Sequence, residues 1–190
     1  PFTSCYALEE VDVEHGSSFL SVENGMLIHR EDKRVIAYPC GSTALTVRVP
    51  EGVRVIGSSA FYGCIWPEEI FLPSTLQRIE DMGLSCLGMV REIILPEGLV
   101  HIGTAGLERC CMLERLTVPE TVTYIGDRAF IGCCDMQEIT LPAKVDYIGP
   151  EAFQECTSLR SLKLPEGLNQ IGEFDFYHLD ALETLVLPSS

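Results

Sequence analysis

Basic residues are scarce in this chain. Thirteen Lys and Arg stand against 28 Asp and Glu, a formal net charge of −15 over 190 residues. Nucleic acids and anionic bilayers are recognised by clustered Lys and Arg, so neither is an expected partner. Long apolar runs are missing too: no stretch approaches the ~20 residues that span a membrane. Histidine is limited to His15, His29, His101 and His178, no two of them closely spaced, and there is no Cys-x-x-Cys. That removes the common zinc spacings and leaves no convergent acid, base and nucleophile, so neither an enzyme, a metal site nor a cofactor is expected. The start, Pro1-Phe2-Thr3, shows no basic stretch leading an apolar one. A removed leader or a piece of a longer protein is the expectation.

What is present suits a globular core: 46% hydrophobic and 22% charged residues. The carboxylates Glu68, Glu69, Glu92, Glu97, Glu120, Glu138 and Glu166 are spread along the chain, which reads as a solvated face rather than a calcium loop or a glycosidase pair. Prolines fall at 50, 73, 96, 119, 142, 165 and 188, a constant step of 23. Other columns keep the same step. Six residues after each proline stands Ile56, Ile79, Ile102, Ile125, Ile148 or Ile171, followed by Gly in every unit but one, where Glu80 takes the place. Fourteen after it stands Cys64, Leu87, Cys110, Cys133, Cys156 or Leu179.

A unit this small cannot bury its own apolar face, so the units must stack into a solenoid. The alternating pair before each proline, such as Ile70 and Leu72, predicts a strand with its middle residue outward. The Ile-Gly column predicts a second extended piece ending in a turn, with Gly supplying backbone freedom. The i, i+3 spacing of Ala129, Phe130 and Cys133 predicts a short helix or 3₁₀ turn. The expected fold class is therefore an α/β repeat: a solenoid of 23-residue rungs with short strands and short helical turns.

The cysteine column accepts leucine, so it reads as a small buried apolar slot and not as a ladder of ligands or bridges. Nine cysteines is an odd count, so at least one thiol stays free or pairs between chains. Cys111 and Cys134 also lie 23 apart, and neighbouring rungs bring such positions to disulfide range; a bridge or a pair of ordinary thiols fits, the thiols being preferred. At the N-terminus, Phe2, Cys5 and Leu8 match the Phe-x-x-Cys-x-x-Leu register, and Val11 and Val13 fill the strand columns. The period then breaks. Residues 24–30 and 34–39 read as two strands around a polar turn, a β-hairpin inserted into the first rung. Residues 1–49 are thus a partial rung with an inserted hairpin, and residues 50–190 six repeats of one continuous solenoid.

These columns resemble the BspA-type leucine-rich repeat, close to Leu-x-x-Ile-x-Ile-Pro-x-x-Val-x-x-Ile-Gly-x-x-Ala-Phe-x-x-Cys. Leu159 to Pro165, Leu168, Ile171-Gly172 and Phe176 follow it, as do Val122, Ile125-Gly126, Ala129-Phe130 and Cys133. The hairpin, with Gly25-Met26-Leu27 and Tyr38-Pro39, resembles an extended unit of that family. Gly83-Leu84 and Gly106-Leu107 in place of Ala-Phe, Pro67 in the Leu column and Asp175 for Ala depart from it. The resemblance implies a secreted or cell-surface bacterial protein that binds extracellular proteins or glycans, with no catalytic residues. It leaves a purely structural spacer as the alternative.

A solenoid binds through outward columns that vary from rung to rung. One is Phe71, Ile94, Thr117, Thr140, Lys163, Val186; another is Val55, Arg78, His101, Tyr124, Tyr147, Gln170. Phe71, Ile94, Tyr124 and Tyr147 are the candidate contacts, with cross-strand stabilisation as the competing role. If the cysteine column is a buried slot, its thiols should resist alkylation in the native chain and react once denaturant opens it. Intact-mass alkylation revealing four disulfides would contradict this.

Overall fold

The computed structural model describes residues 2, 5–143, 145–168, 172 and 175–189. Two strands come from each regular rung. The Ile column forms β5 (Val55–Ile56), β7 (Arg78–Ile79), β8 (His101–Ile102), β10 (Tyr124–Ile125) and β12 (Tyr147–Ile148). The column before the proline forms β4 (Thr46–Arg48), β6 (Glu69–Phe71), β9 (Arg115–Thr117), β11 (Glu138–Thr140), β13 (Ser161–Lys163) and β14 (Thr184–Val186). Neighbouring rungs pair in parallel and in register, Tyr124 beside Tyr147 and Ile139 beside Leu116. Ile171 of the isoleucine column and Gln170 of the outward column lie outside the described residues.

The inserted hairpin is a three-stranded antiparallel meander: β1 (Leu20–Glu23), β2 (Met26–His29) and β3 (Arg34–Ala37). The two expected strands are β2 and β3, with the polar turn between them. The preceding strand, β1, pairs along β2. Parallel pairing of β3 with β5 then makes the meander the first part of an eight-stranded sheet, β1-β2-β3-β5-β7-β8-β10-β12. Glu80 belongs to this junction. Its carboxylate accepts hydrogen bonds from Ser58 N and Oγ, both at 3.2 Å, and pairs with Arg34 of β3. The one residue that departs from the glycine column therefore ties the meander to the rungs. Val11 and Val13, by contrast, lie in irregular chain, not in a strand.

The short helical or 3₁₀ turns are not formed; the described residues contain no helix. The reason is backbone handedness. Two positions in each rung carry positive φ: Ser59, Met82, Ala105, Arg128 and Glu151 form one column, and Gly63, Cys86, Arg109, Gly132, Glu155 and His178 the other. Two left-handed residues four positions apart interrupt the turn before a right-handed helix can form. The chain instead makes successive tight turns, with Ala60 N donating to Gly57 O at 3.0 Å and Cys64 N to Phe61 O at 3.1 Å. The alternate amides point along the solenoid: Ser59 N donates to Asp81 O at 2.9 Å and Phe61 N to Gly83 O at 3.1 Å. The strain of left-handed non-glycine residues, about 1–2 kcal/mol each, is offset by these rung-to-rung bonds.

The glycine after each isoleucine has a different role from the one expected. Gly57, Gly103, Gly126 and Gly149 are not among the glycines with positive φ. A Cβ on Gly126 would stand 2.5 Å from Thr104 N, and one on Gly103 2.7 Å from Asp81 N. These residues are glycine because the backbone of the previous rung passes too close for a side chain.

Between the sheets lies a core of stacked columns. Phe61, Phe130 and Phe153 are fully buried, and the last two stack with centroids 5.8 Å apart. Leu84 and Leu107 fill the same slot where Gly83 and Gly106 precede it. Asp175 is buried at the alanine position, and its carboxylate accepts from Gly172 N at 2.5 Å and Ala152 N at 3.4 Å. The cysteine slot is apolar with one polar function. Cys110, Cys133 and Cys156 are buried, and each Sγ donates to a carbonyl of the previous rung: Leu84 O at 3.3 Å, Leu107 O at 3.3 Å and Phe130 O at 3.2 Å. Burial pushes the Cys156 thiol up to about 12, and a hydrogen bond to Cys110 together with burial raises Cys133 well above the ordinary thiol range.

Gly126→Ala should lower stability by about 2–3 kcal/mol, because its neighbour is backbone and cannot turn aside. Gly98, with its nearest contacts at 3.6 Å and no positive φ, should accept Ala within about 0.5 kcal/mol. Urea midpoints of the two variants check this, and equal stability would refute the close-approach account.

Candidate binding face

Phe71 ends β6 with its side chain outward, directly beside Arg48 of β4. The Arg48 guanidinium lies 3.8 Å from the Phe71 ring centroid, so one ring face is covered by a cation–π contact within the sheet. On the next rung, Ile94 is 71% exposed, the highest value among the large apolar residues described. The ladder fails between these two rungs. β6 pairs only with β4, while residues 92–94 form no strand and keep a single bridge, Glu92 to Arg115.

A groove of about 860 Å³ opens at this break. Phe71, Leu72, Ile94, Met89 and Met112 give it an apolar floor. Glu51, Glu68, Glu69 and Glu92 also line it. The basic lining residue, Arg91, is engaged by Glu114 at 3.1 Å. None of the four carboxylates is paired with a cation among the described residues. The groove is therefore apolar inside and negative at its edge.

Sequence reasoning found Phe71 and Ile94 but missed Met89 and Met112. They belong to an outer-turn column, Trp66, Met89, Met112, Asp135, Ser158, Ala181, that is large and apolar in three successive rungs and polar or small afterwards. Trp66 and Met89 are exposed. That switch was the available signal.

Tyr124 and Tyr147 lie elsewhere, on β10 and β12 of the eight-stranded sheet. Their rings stack at 5.0 Å and 16°, and His101 stacks on Tyr124 at 4.6 Å and 8°. Tyr147 Oη donates to Asp127 Oδ1 at 2.9 Å, which pushes the phenol pKa up. Tyr124 thus has a ring on each face, an arrangement that stabilises the sheet through cross-strand pairs. The structure thus separates the four candidates: Tyr124 and Tyr147 lie on the eight-stranded sheet, Phe71 on the β4–β6 pair, and Ile94 on the next rung outside any strand. Among the described residues no group of three or more His, Cys, Asp or Glu is arranged to hold a metal ion, and no helix is long and apolar enough to cross a membrane.

The sequence pattern described as the BspA type leucine rich repeat region matches residues 38–149 and 126–190, with six copies. The chain belongs to the BspA-type leucine-rich-repeat family. Solved structures share the fold. A leucine-rich repeat protein from Bacteroides ovatus superposes with a TM-score of 0.75 at 26% identity, over 99% of this chain and 51% of that one. A leucine-rich repeat protein from T. pallidum gives 0.80 at 25% identity, over 93% and 84%. The pneumococcal vaccine antigen PcpA gives 0.74 at 18% identity, over 96% and 51%. The chain thus spans about half the length of the Bacteroides and pneumococcal proteins. No curated protein resembles it closely enough to count as a match.

Within this BspA-type solenoid His101 is a titrating member of the ring ladder. Burial, then the charge of Arg78, hold its pKa below the ordinary histidine value, while Asp81 and Glu80 act the other way. The unfolded chain therefore binds more protons at this site as pH falls through about 6.5, and stability declines with it. His101→Phe keeps a ring in the stack and removes the titration. Urea midpoints between pH 7.5 and about 5.5 should fall less steeply in the variant than in the wild type.

Proposed function

We propose that this chain is a surface binding module that seats a partner protein in the groove between β6 and residues 92–94. The observation that carries the reading is the combination of an exposed apolar floor with four carboxylates that lack a cation partner among the described residues. A site of that kind suits an apolar side chain flanked by Lys or Arg. Phe71 and Ile94 are the contacts retained from the sequence, joined by Met89 and Met112, whose flexible side chains adapt to an incoming group. Tyr124 and Tyr147 act in stability. A secreted or cell-surface place, and an adhesive role there, is what the resemblance to the family implies. The second reading, a spacer, has one observation in its favour: Arg48 already covers a face of Phe71.

The test is binding of the purified chain to arrays of extracellular-matrix proteins, mucins and glycans. Saturable binding to a protein is expected, weakening as salt screens the carboxylates. Ile94→Asp with Met89→Asp should reduce it by about tenfold or more. Tyr124→Ala with Tyr147→Ala should leave affinity unchanged and lower the melting temperature. No saturable binding favours the spacer. Binding lost in the tyrosine variant, or confined to glycans, would reject the groove as the site.

A further inference from the structure

Three features stand apart from the groove: the ring ladder, the buried carboxylate of Asp175, and the half-buried cysteines of the outer turn. The first two are satisfied within the fold. The ladder's rings face one another, and Asp175 accepts two backbone amides. The cysteines are different. Cys111 and Cys134 occupy equivalent positions on consecutive rungs, and both are half-buried.

Their backbones are locked at one rung's spacing. Asp135 N donates to Cys111 O at 3.0 Å, and Ser158 N donates to Cys134 O at 3.1 Å. Rungs paired in this way stand about 4.8 Å apart, inside the Cα separation of about 4.4–6.8 Å that a disulfide requires. The side chains converge as well. Cys111 Sγ and Cys134 Sγ both donate to one carbonyl, Gly132 O, at 3.6 and 3.2 Å. Cys110 and Cys133 repeat the stacking one residue earlier, but they are fully buried and turned into the core. Of these two stacked pairs, only Cys111 and Cys134 can meet a reagent in solution.

We propose that Cys111 and Cys134 are an oxidisable dithiol, a site for low-molecular-weight disulfides, and that its oxidation staples two neighbouring rungs. The chemistry is thiol–disulfide exchange. The Cys134 thiolate attacks one sulfur of an external disulfide RSSR and expels RS⁻, leaving a mixed disulfide. Cys111 then loses its proton, attacks Cys134 Sγ and expels the second RS⁻. Two electrons pass from the protein sulfurs to RSSR, which leaves as two RSH once the released protons are taken up. The order follows from the surroundings: burial, the sulfur charge of Cys134 and a hydrogen bond to it raise the Cys111 pKa, so Cys111 closes the bond rather than starting it. The staple fixes the turn that leads into Met112 at the groove.

The experiment treats the full reduced chain with glutathione disulfide as the probe, then alkylates and digests it without reduction. Trypsin leaves residues 110–115 in one peptide and 129–144 in another, each with an adjacent cysteine pair. A cross-link joining these peptides is expected, together with the loss of two free thiols. It should vanish in Cys111→Ser and in Cys134→Ser and persist in Cys86→Ser. Oxidation should raise the melting temperature of wild type and Cys86→Ser by about 5 °C or more, and leave the other two variants unmoved. Reduced variants that melt with reduced wild type establish that folding is intact. A bond between Cys86 and Cys111, glutathione adducts without an internal bond, a cross-link surviving in Cys111→Ser, or no thiol loss would each overturn the proposal.

Discussion

Everything in this molecule depends on how closely one turn of chain lies on the next. Backbone hydrogen bonds hold the regular rungs together at three places around the turn: the isoleucine strands, the strands before the prolines, and the tight turns between them. At that spacing a Cβ after the isoleucine crowds the neighbour, so the position is glycine in every rung but that of Glu80. The slot beneath the outer turn is small and has a carbonyl at its wall, so cysteine, with a weak donor and little bulk, fits it. The outward residues inherit the same spacing. Rings, ion pairs and thiols on consecutive rungs meet whether or not a ligand is ever present, as Arg128 and Glu151 do at 2.7 Å.

That constraint decides what was legible in the sequence. Buried columns were readable because each rung presents the same environment, so Ile, Phe, Cys and Pro recur with the period itself. The turn geometry was not. Its left-handed positions are filled by Ser, Met, Ala, Arg, Glu, Cys and His as well as Gly, and the conformation is imposed by bonds to neighbouring rungs rather than by residue type. A spacing of three between apolar residues fits a helical turn and a pair of tight turns equally. Strand β1 is absent from the sequence reading although Asn24-Gly25, the turn that joins it to β2, is a hairpin signal. The candidate site was half visible: Phe71 and Ile94 stood out in a strand column, while the methionines opposite them came from a turn column whose orientation required the fold. The broken ladder between them has no counterpart in the residue pattern.

Charge and shape then work together at that break. A regular solenoid surface is nearly flat, with each side chain propped against its equivalents. Where the strands part, apolar side chains lose that support and the carboxylates around them lack a cation among the described residues. Family membership supplies the scaffold, and a local irregularity supplies the distinctive surface.

The two sides of the solenoid are mechanically unequal as a result. One sheet runs through eight strands without a gap, whereas the other side is divided into a pair and a set of four. Bending toward the unbroken sheet would open the other side at its notch, where no strand pairing among the described residues resists it. Flexure of the solenoid and the width of the groove therefore share one joint.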